Sequence, residues 1–587
     1  MNKFVSSLLG SFAGTWIAFF VFGVFIFFFG IAAISSMSFS SAIPKVESNS
    51  ILCINLTGTI KDKPDNKTLS ELVNENWQVS ENLHDILIAI DHAETNDNIE
   101  GIYLNCGSVD TGIATASAIR NALSDFKKKS GKWVYAYGHG FSQKDYYIAS
   151  VADSIFMNPS GSLDIHGLTS TTMFFKGALD KLGIEMQIIR VGTYKSAVEP
   201  FMLTSMSEAS KLQTQTYIDN IWNEMCNAIA KSRKIDSKTI VDFADSLSSF
   251  KLPEIALNAK LIDGVCYQHE FDEKMKELSG ISQSDDLRLV SANTMANTPG
   301  ETNTSNREIA VLFAEGEINM TGDSHSINAD DIVPQIIELA DNDEVKGLVL
   351  RVNSPGGSAY ASEQIWEALE YFKSKNKPLA VAMGDYAASG GYYISCGADC
   401  IFAEPTTITG SIGIYGMIPS AKKLMNETIG ITTDYVTTTP NANISLFEPL
   451  TPNQMAAIQA NVNKGYELFT RRCAQGRDVS VDSIKAIAEG RVWDGKNALK
   501  IGLVDQFGGI DDAVKWVANK AKLGSDFRTA YYPEYTMDFL NMIYSSFEVS
   551  VKNGLLQYNQ WAEYVMQVQQ LLNKDKLQCR MENIHIN

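Results

Sequence analysis

An internal repeat is the feature that most restricts what this chain can fold into. Residues 86–170 align without a gap with residues 332–416, at a constant offset of 246 (332 − 86 = 246). Within this alignment Tyr146-Tyr147-Ile148 corresponds to Tyr392-Tyr393-Ile394, and Ala152-Asp153 corresponds to Ala398-Asp399. Since the chain has 587 residues and a 45% hydrophobic composition, it is long enough for two such domains, each with its own core.

The apolar segments of both halves predict the same type of fold. Each half contains three short strand-like segments separated by helical stretches, at residues 51–56, 101–104 and 133–136 in the first half and 309–313, 347–350 and 379–382 in the second. Short apolar strands that alternate with helices indicate βαβ units and mainly parallel sheets. The predicted fold class is therefore α/β, with two tandem β/α domains.

The chain begins with a long apolar segment. No charged residue occurs from Phe4 to Pro44. A bilayer core of about 30 Å requires roughly 20 apolar residues in a helix, which residues 12–34 supply. The alternative, a cleavable signal peptide, has a shorter apolar region of roughly 7–15 residues. We therefore predict one retained membrane helix, and Lys3 alone favours a short cytoplasmic N-terminus with the bulk of the chain outside.

The repeat and the composition together predict five segments. These are an anchor (1–45), a first repeat domain (46–278), a linker rich in Ser, Asn, Thr and Asp (279–306), a second repeat domain (307–535) and a C-terminal tail (536–587). Apolar residues at helical spacing between Phe539 and Leu571 predict amphipathic helices in the tail, which cover a core or serve assembly. A net charge of −19 argues against nucleic acid as an electrostatic partner.

The two copies differ at polar positions that could carry chemistry. The second copy reads Ala387-Ala388-Ser389-Gly390-Gly391, whereas the first copy has Gln143 at the position of Ser389. Small neighbours allow a substrate backbone to approach a hydroxyl, although a serine at this place could equally be a helix N-cap.

Two glycines before this serine also occur in the second copy only. Gly356 and Gly357 follow a predicted strand, and the first copy has Asp110 and Thr111 there. Glycine permits backbone geometries that direct N–H groups at one point, which an oxyanion hole requires. A turn that merely needed glycine would need it in both copies.

A lysine in the first copy could activate this serine. Lys195, in Tyr194-Lys195-Ser196, has no counterpart, because the second copy has no lysine between Lys423 and Lys464. All seven histidines lie before the second copy or at the extreme C-terminus, so a Ser-His-Asp triad would need a distant histidine. A lysine can act as the base if desolvation lowers the pKa of its amine from about 10.4 towards neutrality.

The alternative for Lys195 is a surface ion pair with Glu199, four residues on. The division of serine and lysine between the copies instead favours one composite catalytic site. We expect the hydroxyl and the amine to lie about 2.6–3.2 Å apart.

With these residues the chain resembles the signal peptide peptidase A family of membrane-anchored serine–lysine peptidases, in its long tandem-domain form. The resemblance rests on the anchor, the tandem halves, Tyr-Lys-Ser and the motifs Ser-Pro-Gly-Gly, Gly-Asp-x-Ala-Ala-Ser-Gly-Gly-Tyr-Tyr and Thr-Gly-Ser-Ile-Gly (409–413). It implies a fold related to Clp protease and crotonase in each half. It also implies a homo-oligomer, a tetramer, that digests signal-peptide remnants at the cell inner membrane, with its catalytic domains on the periplasmic side. By motif match it implies Ser389 as nucleophile, Lys195 as general base, Ser411 as the hydroxyl that orients the lysine, and Gly356, Gly357 and Gly390 as the oxyanion region.

We expect no metal or nucleotide cofactor, because the sequence has no phosphate-binding glycine motif and its eight cysteines form no CxxC pair. Two other functions remain open from the residues. A crotonase-type acyl-CoA enzyme would share the oxyanion architecture without needing the serine, and a membrane scaffold would need no chemistry at all.

Overall fold

The computed structural model describes residue 22 and residues 46–63, 81–298, 305–322, 325–533 and 577–581. The predicted anchor, apart from residue 22, and the predicted helices between Phe539 and Leu571 lie outside these ranges. No helix within the described ranges has the length and apolar character needed to cross a bilayer.

The first half is built around a six-stranded sheet. Its strands pair in parallel throughout and follow the spatial order Gly264–Val265, Ser154–Met157, Trp133–Gly138, Ile99–Asp110, Ser50–Thr59, Leu289–Ser291. The helices and 3-10 turns of this half are Leu83–Thr95, Ile113–Ser130, Gln143–Ala149, Lys176–Leu182, Ser196–Val198, Glu199–Met202, Glu208–Arg233, Ser237–Asp245, Ser248–Phe250, Pro253–Asn258, Gln268–Ser279 and Ala292–Ala296.

The second half repeats this arrangement. The main path of its sheet is Val492–Asp494, Ile408–Gly410, Leu379–Ala388, Val345–Ser354, Glu308–Glu315, Arg528–Tyr532, and Cys400–Ala403 pairs with Leu379–Ala388 and with Gln506–Phe507. All neighbours are parallel except Val492–Asp494. Its helices, including one π-helical turn at Leu424–Ile429, are Ala329–Asp341, Ala359–Ser374, Gly390–Ser395, Leu424–Ile429, Pro452–Gly476, Val481–Ile487, Gly495–Lys500 and Ile510–Lys520.

The sequence repeat is also a structural repeat. The strands that begin at Ile99, Trp133 and Ser154 recur at Val345, Leu379 and Cys400, each 246 residues later (345 − 99 = 246). Side-chain caps mark the starts of some of the helices. For example, the Asn82 side chain accepts a hydrogen bond from the Asp85 N–H at the start of helix Leu83–Thr95. The prediction of an α/β fold with mainly parallel sheets is confirmed.

A third sheet joins the two halves and carries part of the tail. Its strands follow the order Ile327–Asn328, Ile318–Asn319, Gly356–Ser358, Leu577–Arg580, Tyr415–Ser420, Glu185–Arg190. The last strand of this list, Glu185–Arg190, belongs to the first half and pairs antiparallel with Tyr415–Ser420 from the second half. Because this sheet mixes the two copies, it fixes their relative positions.

Two segments differ from the sequence-based prediction. Strand Leu289–Ser291, inside the predicted linker 279–306, extends the first sheet by pairing with Ile51–Cys53. In the tail, predicted to be helical, residues 577–580 form a strand. Both strands have four residues or fewer, too short for a two-residue periodicity to stand out in a sequence.

A buried ion pair connects the two halves. Arg351 of strand Val345–Ser354 donates from Nε and Nη2 to the two carboxylate oxygens of Asp62, at 2.9 and 3.0 Å. Both side chains are almost completely buried. Close by, the Asp385 carboxylate accepts hydrogen bonds from the backbone N–H and the hydroxyl of Thr115.

A buried carboxyl group at the same interface predicts a pH dependence of stability. Burial raises the pKa of Glu404 from 4.5 to about 7, with Asp512 and Asp385 acting in the same direction and Arg351 and the Asn121 amide opposing it. Between these two pH values the folded protein therefore holds a proton that the unfolded chain has released. Stability should fall as pH rises through this window, by up to about 1.4 kcal/mol per pH unit for one such group.

Replacing Glu404 by glutamine, which does not titrate, should reduce this fall. The measurement is the urea midpoint of unfolding at pH 5 and at pH 7. Glu208→Gln, at an exposed position, should leave the difference between the two pH values unchanged. If the urea midpoint changes equally between pH 5 and pH 7 in Glu404→Gln and in Glu208→Gln, Glu404 is not protonated in the folded protein at pH 5.

Candidate active site

Ser389 lies where strand Leu379–Ala388 ends and helix Gly390–Ser395 begins. Its backbone has φ 56° and ψ −112°, an unusual conformation for a residue with a side chain. Such a conformation costs about 1–3 kcal/mol and persists only where the surroundings impose it. Here the Ser389 N–H donates to the Gly410 carbonyl at 2.8 Å, and the Ser389 carbonyl accepts from the Tyr393 N–H.

Small residues around Ser389 are needed for space. A Cβ atom at Gly391 would lie 2.6 Å from the carbonyl oxygen of Ser354, and one at Gly390 would lie 2.7 Å from the hydroxyl of Ser362. Larger residues would push the short helix away from strand Val345–Ser354, which carries Ser354, and from helix Ala359–Ser374, which carries Ser362. The two glycines therefore keep Ser389 close to the end of strand Leu379–Ala388.

Lys195 reaches this place from the first half. It follows strand Glu185–Arg190, whose pairing with Tyr415–Ser420 carries the chain across to the second half. The Tyr194 N–H donates to the Glu489 carbonyl, and the Gln213 amide donates to the Tyr194 carbonyl and to the Ser196 hydroxyl. These contacts fix the backbone on both sides of the lysine.

The amine of Lys195 contacts two serine residues. Its Nζ lies 2.8 Å from Oγ of Ser389 and 3.1 Å from both the carbonyl oxygen and the hydroxyl of Ser411. All three side chains are fully buried, at 0% relative exposure. The first of these distances lies within the range expected from the sequence, and it permits direct proton transfer between the two groups.

Gly356, Gly357 and Gly390 lie together beside Ser389. Gly356 and Gly357 form the start of strand Gly356–Ser358, and the Gly356 N–H donates to the Ser354 hydroxyl. A Cβ at Gly356, which has φ 98°, would lie 2.6 Å from the backbone nitrogen of Gly390. The structure thus brings all six of the predicted site residues into one region.

The equivalent region of the first copy is closed by its own side chains. Asp145 occupies the position of Gly391 and accepts hydrogen bonds from the backbone N–H groups of Ser108 and Val109, at 2.9 and 2.8 Å. Gln143, at the position of Ser389, accepts from two backbone N–H groups and donates to the Gly167 carbonyl. In this copy the Asp145 side chain therefore occupies the backbone N–H groups of Ser108 and Val109.

Three residues of the site were missed by sequence reasoning. A Cβ at Gly490 would lie 2.7 Å from Cβ of Lys195, and one at Gly413 would lie 3.4 Å from its Cδ, so these glycines make room for the lysine stem. Ser362, on helix Ala359–Ser374, lies against Gly390. Gly413 is part of the Thr-Gly-Ser-Ile-Gly motif, but nothing in the sequence connects Gly490 or Ser362 to Ser389.

Comparisons with known proteins show the family to which the chain belongs. The model of peptidase family S49 matches residues 126–282 and 371–524, together more than half of the chain. The Clp protease model matches residues 300–407. Protease 4 of Haemophilus influenzae is 34% identical over 93% of this chain and 92% of its own length. Protease 4 of Salmonella typhi is 36% identical over 85% of this chain and 83% of its own. The chloroplastic serine protease SPPA of Arabidopsis thaliana is 29% identical over 83% and 71%, respectively.

The match of the S49 model in each half, the Clp protease match in the second half and the two Protease 4 relatives identify the chain as a serine peptidase. The chain belongs to peptidase family S49, in the tandem-domain form in which the family model matches twice.

Proposed function

We propose that this protein is a membrane-anchored serine endopeptidase that uses a Ser389–Lys195 dyad to degrade cleaved signal peptides and other apolar peptides. The observation that carries the proposal is the 2.8 Å contact between a lysine amine and a serine hydroxyl that are both fully buried. Burial disfavours a charged ammonium group, which is the condition under which a lysine can act as a base.

The contacts of Lys195 match the needs of a neutral amine. Such an amine has two N–H donors and one lone pair. Ser411 offers two acceptors, its carbonyl and its hydroxyl, each 3.1 Å from Nζ. Donation to both of them directs the lone pair at the Ser389 hydroxyl, so Ser411 is the residue that orients the base.

In the proposed reaction Ser389 Oγ attacks the carbonyl carbon of the peptide while its proton passes to Nζ of Lys195. Backbone N–H groups of the region formed by Gly356, Gly357 and Gly390 stabilise the oxyanion. Lys195 then gives the proton to the leaving amine as the C–N bond breaks. Water, deprotonated by the same amine, then attacks the acyl-enzyme carbonyl, and Lys195 returns this proton to Ser389 Oγ as the ester C–O bond breaks and the second product leaves.

The apolar N-terminal segment supports the choice of substrate and location. An uncharged stretch from Phe4 to Pro44 would hold the site next to a bilayer, where apolar leader fragments collect. We place the protein in the cell inner membrane as a homo-oligomer, a tetramer, with its catalytic domains on the periplasmic side. Retention of the full-length protein in the membrane pellet after an alkaline wash tests the anchor, and release into the supernatant would contradict it.

The test of the chemistry is to trap the acyl-enzyme. Purified full-length protein is mixed with a short apolar peptide ester, quenched with acid during turnover and digested for peptide mapping. We expect the acyl group on Ser389, because the ester is attacked faster than the acyl-enzyme is hydrolysed. An acyl group on another residue, or turnover with no acylated residue at any quench time, would contradict the proposal.

A further inference from the structure

The C-terminal strand lies inside the site described above. Leu577–Arg580 pairs antiparallel with strand Gly356–Ser358 on one side and with Tyr415 and Gly416 on the other. In this register Cys579 is opposite Gly357 and Gln578 is opposite Tyr415. The Met581 N–H continues the pairing by donating to the Pro355 carbonyl at 2.8 Å.

The centre of this strand is directly beside Ser389. A Cβ at Gly356 would lie 2.2 Å from the carbonyl oxygen of Cys579, and one at Gly390 would lie 3.1 Å from the same oxygen. Burial raises the pKa of the Cys579 thiol, while the Lys195 amine and hydrogen bonds with the Ser389 and Ser362 hydroxyls oppose that rise. The backbone of Cys579 thus lies on the oxyanion glycines, and its side chain meets the proposed nucleophile.

The strand is held along its length. Cys579 and Met581 are buried, and Arg580 forms an ion pair with Glu317 at 3.1 Å. A strand that joins a sheet forms hydrogen bonds with the backbone N–H and C=O groups of the strand beside it, and those groups are then no longer open to another strand. A peptide from outside therefore cannot pair with Gly356–Ser358 while residues 577–581 remain there.

We propose that residues 577–581 are a built-in, substrate-like occupant of the peptide cleft, and that they compete with peptides supplied from outside. The position of Cys579 marks the subsite next to Ser389. Ser362 forms a hydrogen bond with the side chain in that subsite. The identity of the cleft rests on the proposed function, but its occupation by the chain itself does not require that hydrolysis takes place.

Alkylation of Cys579 tests the proposal without any turnover. Full-length Ser389→Ala protein is treated with N-ethylmaleimide, with and without a saturating fluorescent peptide of alanine and leucine, and labelling is followed by peptide mapping. We expect the peptide to accelerate alkylation of Cys579 at least about tenfold, because a buried thiol is inert until it is exposed. Cys266, half-buried and remote from the cleft, is the internal control and should react at the same rate in both samples.

A second variant weakens the strand without altering the cleft. Arg580→Ala removes the ion pair with Glu317. A tethered competitor acts through its effective concentration, so a more weakly held strand competes less with an added peptide. The Kd of the peptide, measured by fluorescence anisotropy, should therefore be several-fold lower in this variant. Arg307→Ala is the control for loss of an arginine ion pair, because Arg307 pairs with Asp526 at 3.4 Å and both side chains are exposed. It should leave peptide binding unchanged.

Peptide binding that leaves Cys579 unreactive would overturn the proposal. So would equal peptide affinity in the parent protein and in Arg580→Ala, or the absence of peptide binding in both. These outcomes are separate from those of acyl-enzyme trapping. If Ser389 is not acylated but peptide still exposes Cys579, the catalytic assignment fails and the proposal of self-occupation stands.

Discussion

Replacing Lys195 by alanine is expected to lower kcat/KM for peptide cleavage at least about a thousandfold, because the Ser389 hydroxyl loses the group that accepts its proton. Ser389→Ala should have an effect of similar size. Since the two residues act as one unit, the double variant should be no less active than either single variant. The measurement is hydrolysis of an apolar peptide, together with thermal unfolding to confirm that each variant is folded.

Lys195→Arg separates the proposed role as a base from a purely electrostatic role. An arginine stays charged and cannot accept a proton, so this variant should be as inactive as Lys195→Ala. Lys211, which forms an exposed pair with Glu208, supplies the control, and Lys211→Ala should keep full activity. Substantial cleavage by Lys195→Arg would show that a positive charge, and not a base, is what Ser389 requires.

Asp62→Ala is expected to destabilise the protein by about 3–5 kcal/mol, because it leaves the Arg351 guanidinium buried without its carboxylate partner. The two side chains are 2% and 4% exposed, and they make two hydrogen bonds across the contact between the halves. The Asp62 carboxylate raises the pKa of Arg351 despite the opposing effect of burial. The measurement is urea-induced unfolding followed by tryptophan fluorescence.

An exposed pair within the first half provides the comparison for this prediction. Asp125 and Lys128 lie 2.9 Å apart with both side chains more than half exposed, so Asp125→Ala should cost less than about 1 kcal/mol. Replacing Asp62 and Arg351 together by leucine and methionine should recover much of the lost stability, since no unpaired charge then remains. Equal midpoints for Asp62→Ala and Asp125→Ala would refute a structural role for the buried pair.

The α/β architecture could be predicted because it depends on short-range pattern. The apolar runs at 101–104 and 347–350 lie within strands Ile99–Asp110 and Val345–Ser354, both of which are buried over most of their length. Strands covered on both faces are apolar throughout, so their signal in the sequence is strong. The edge strand Leu289–Ser291 carries no such signal, which is why its segment resembles a linker.

The candidate residues were found by comparing the two copies, and not by pattern alone. Ser389 differs from Gln143 at the matching position, and Lys195 has no counterpart in the second copy, so these contrasts drew attention to both residues. Gly490 lies outside the aligned segments, and the importance of both Gly490 and Ser362 comes only from the atoms that lie next to them. Asp145 differs from Gly391 at the matching position, but only the structure shows that its carboxylate closes the first copy's version of the site.

The sequence by itself determined the repeat, the parallel α/β domains and the membership of a serine peptidase family, since each of these depends on residue types at regular or matched positions. Only the tertiary structure decided that Lys195 meets Ser389 at 2.8 Å and that Cys579 lies beside both. These contacts join residues 190 positions apart (579 − 389 = 190) and more, through a sheet built from strands of both halves and the tail. No periodicity records such pairings, because they arise from the packing of whole domains.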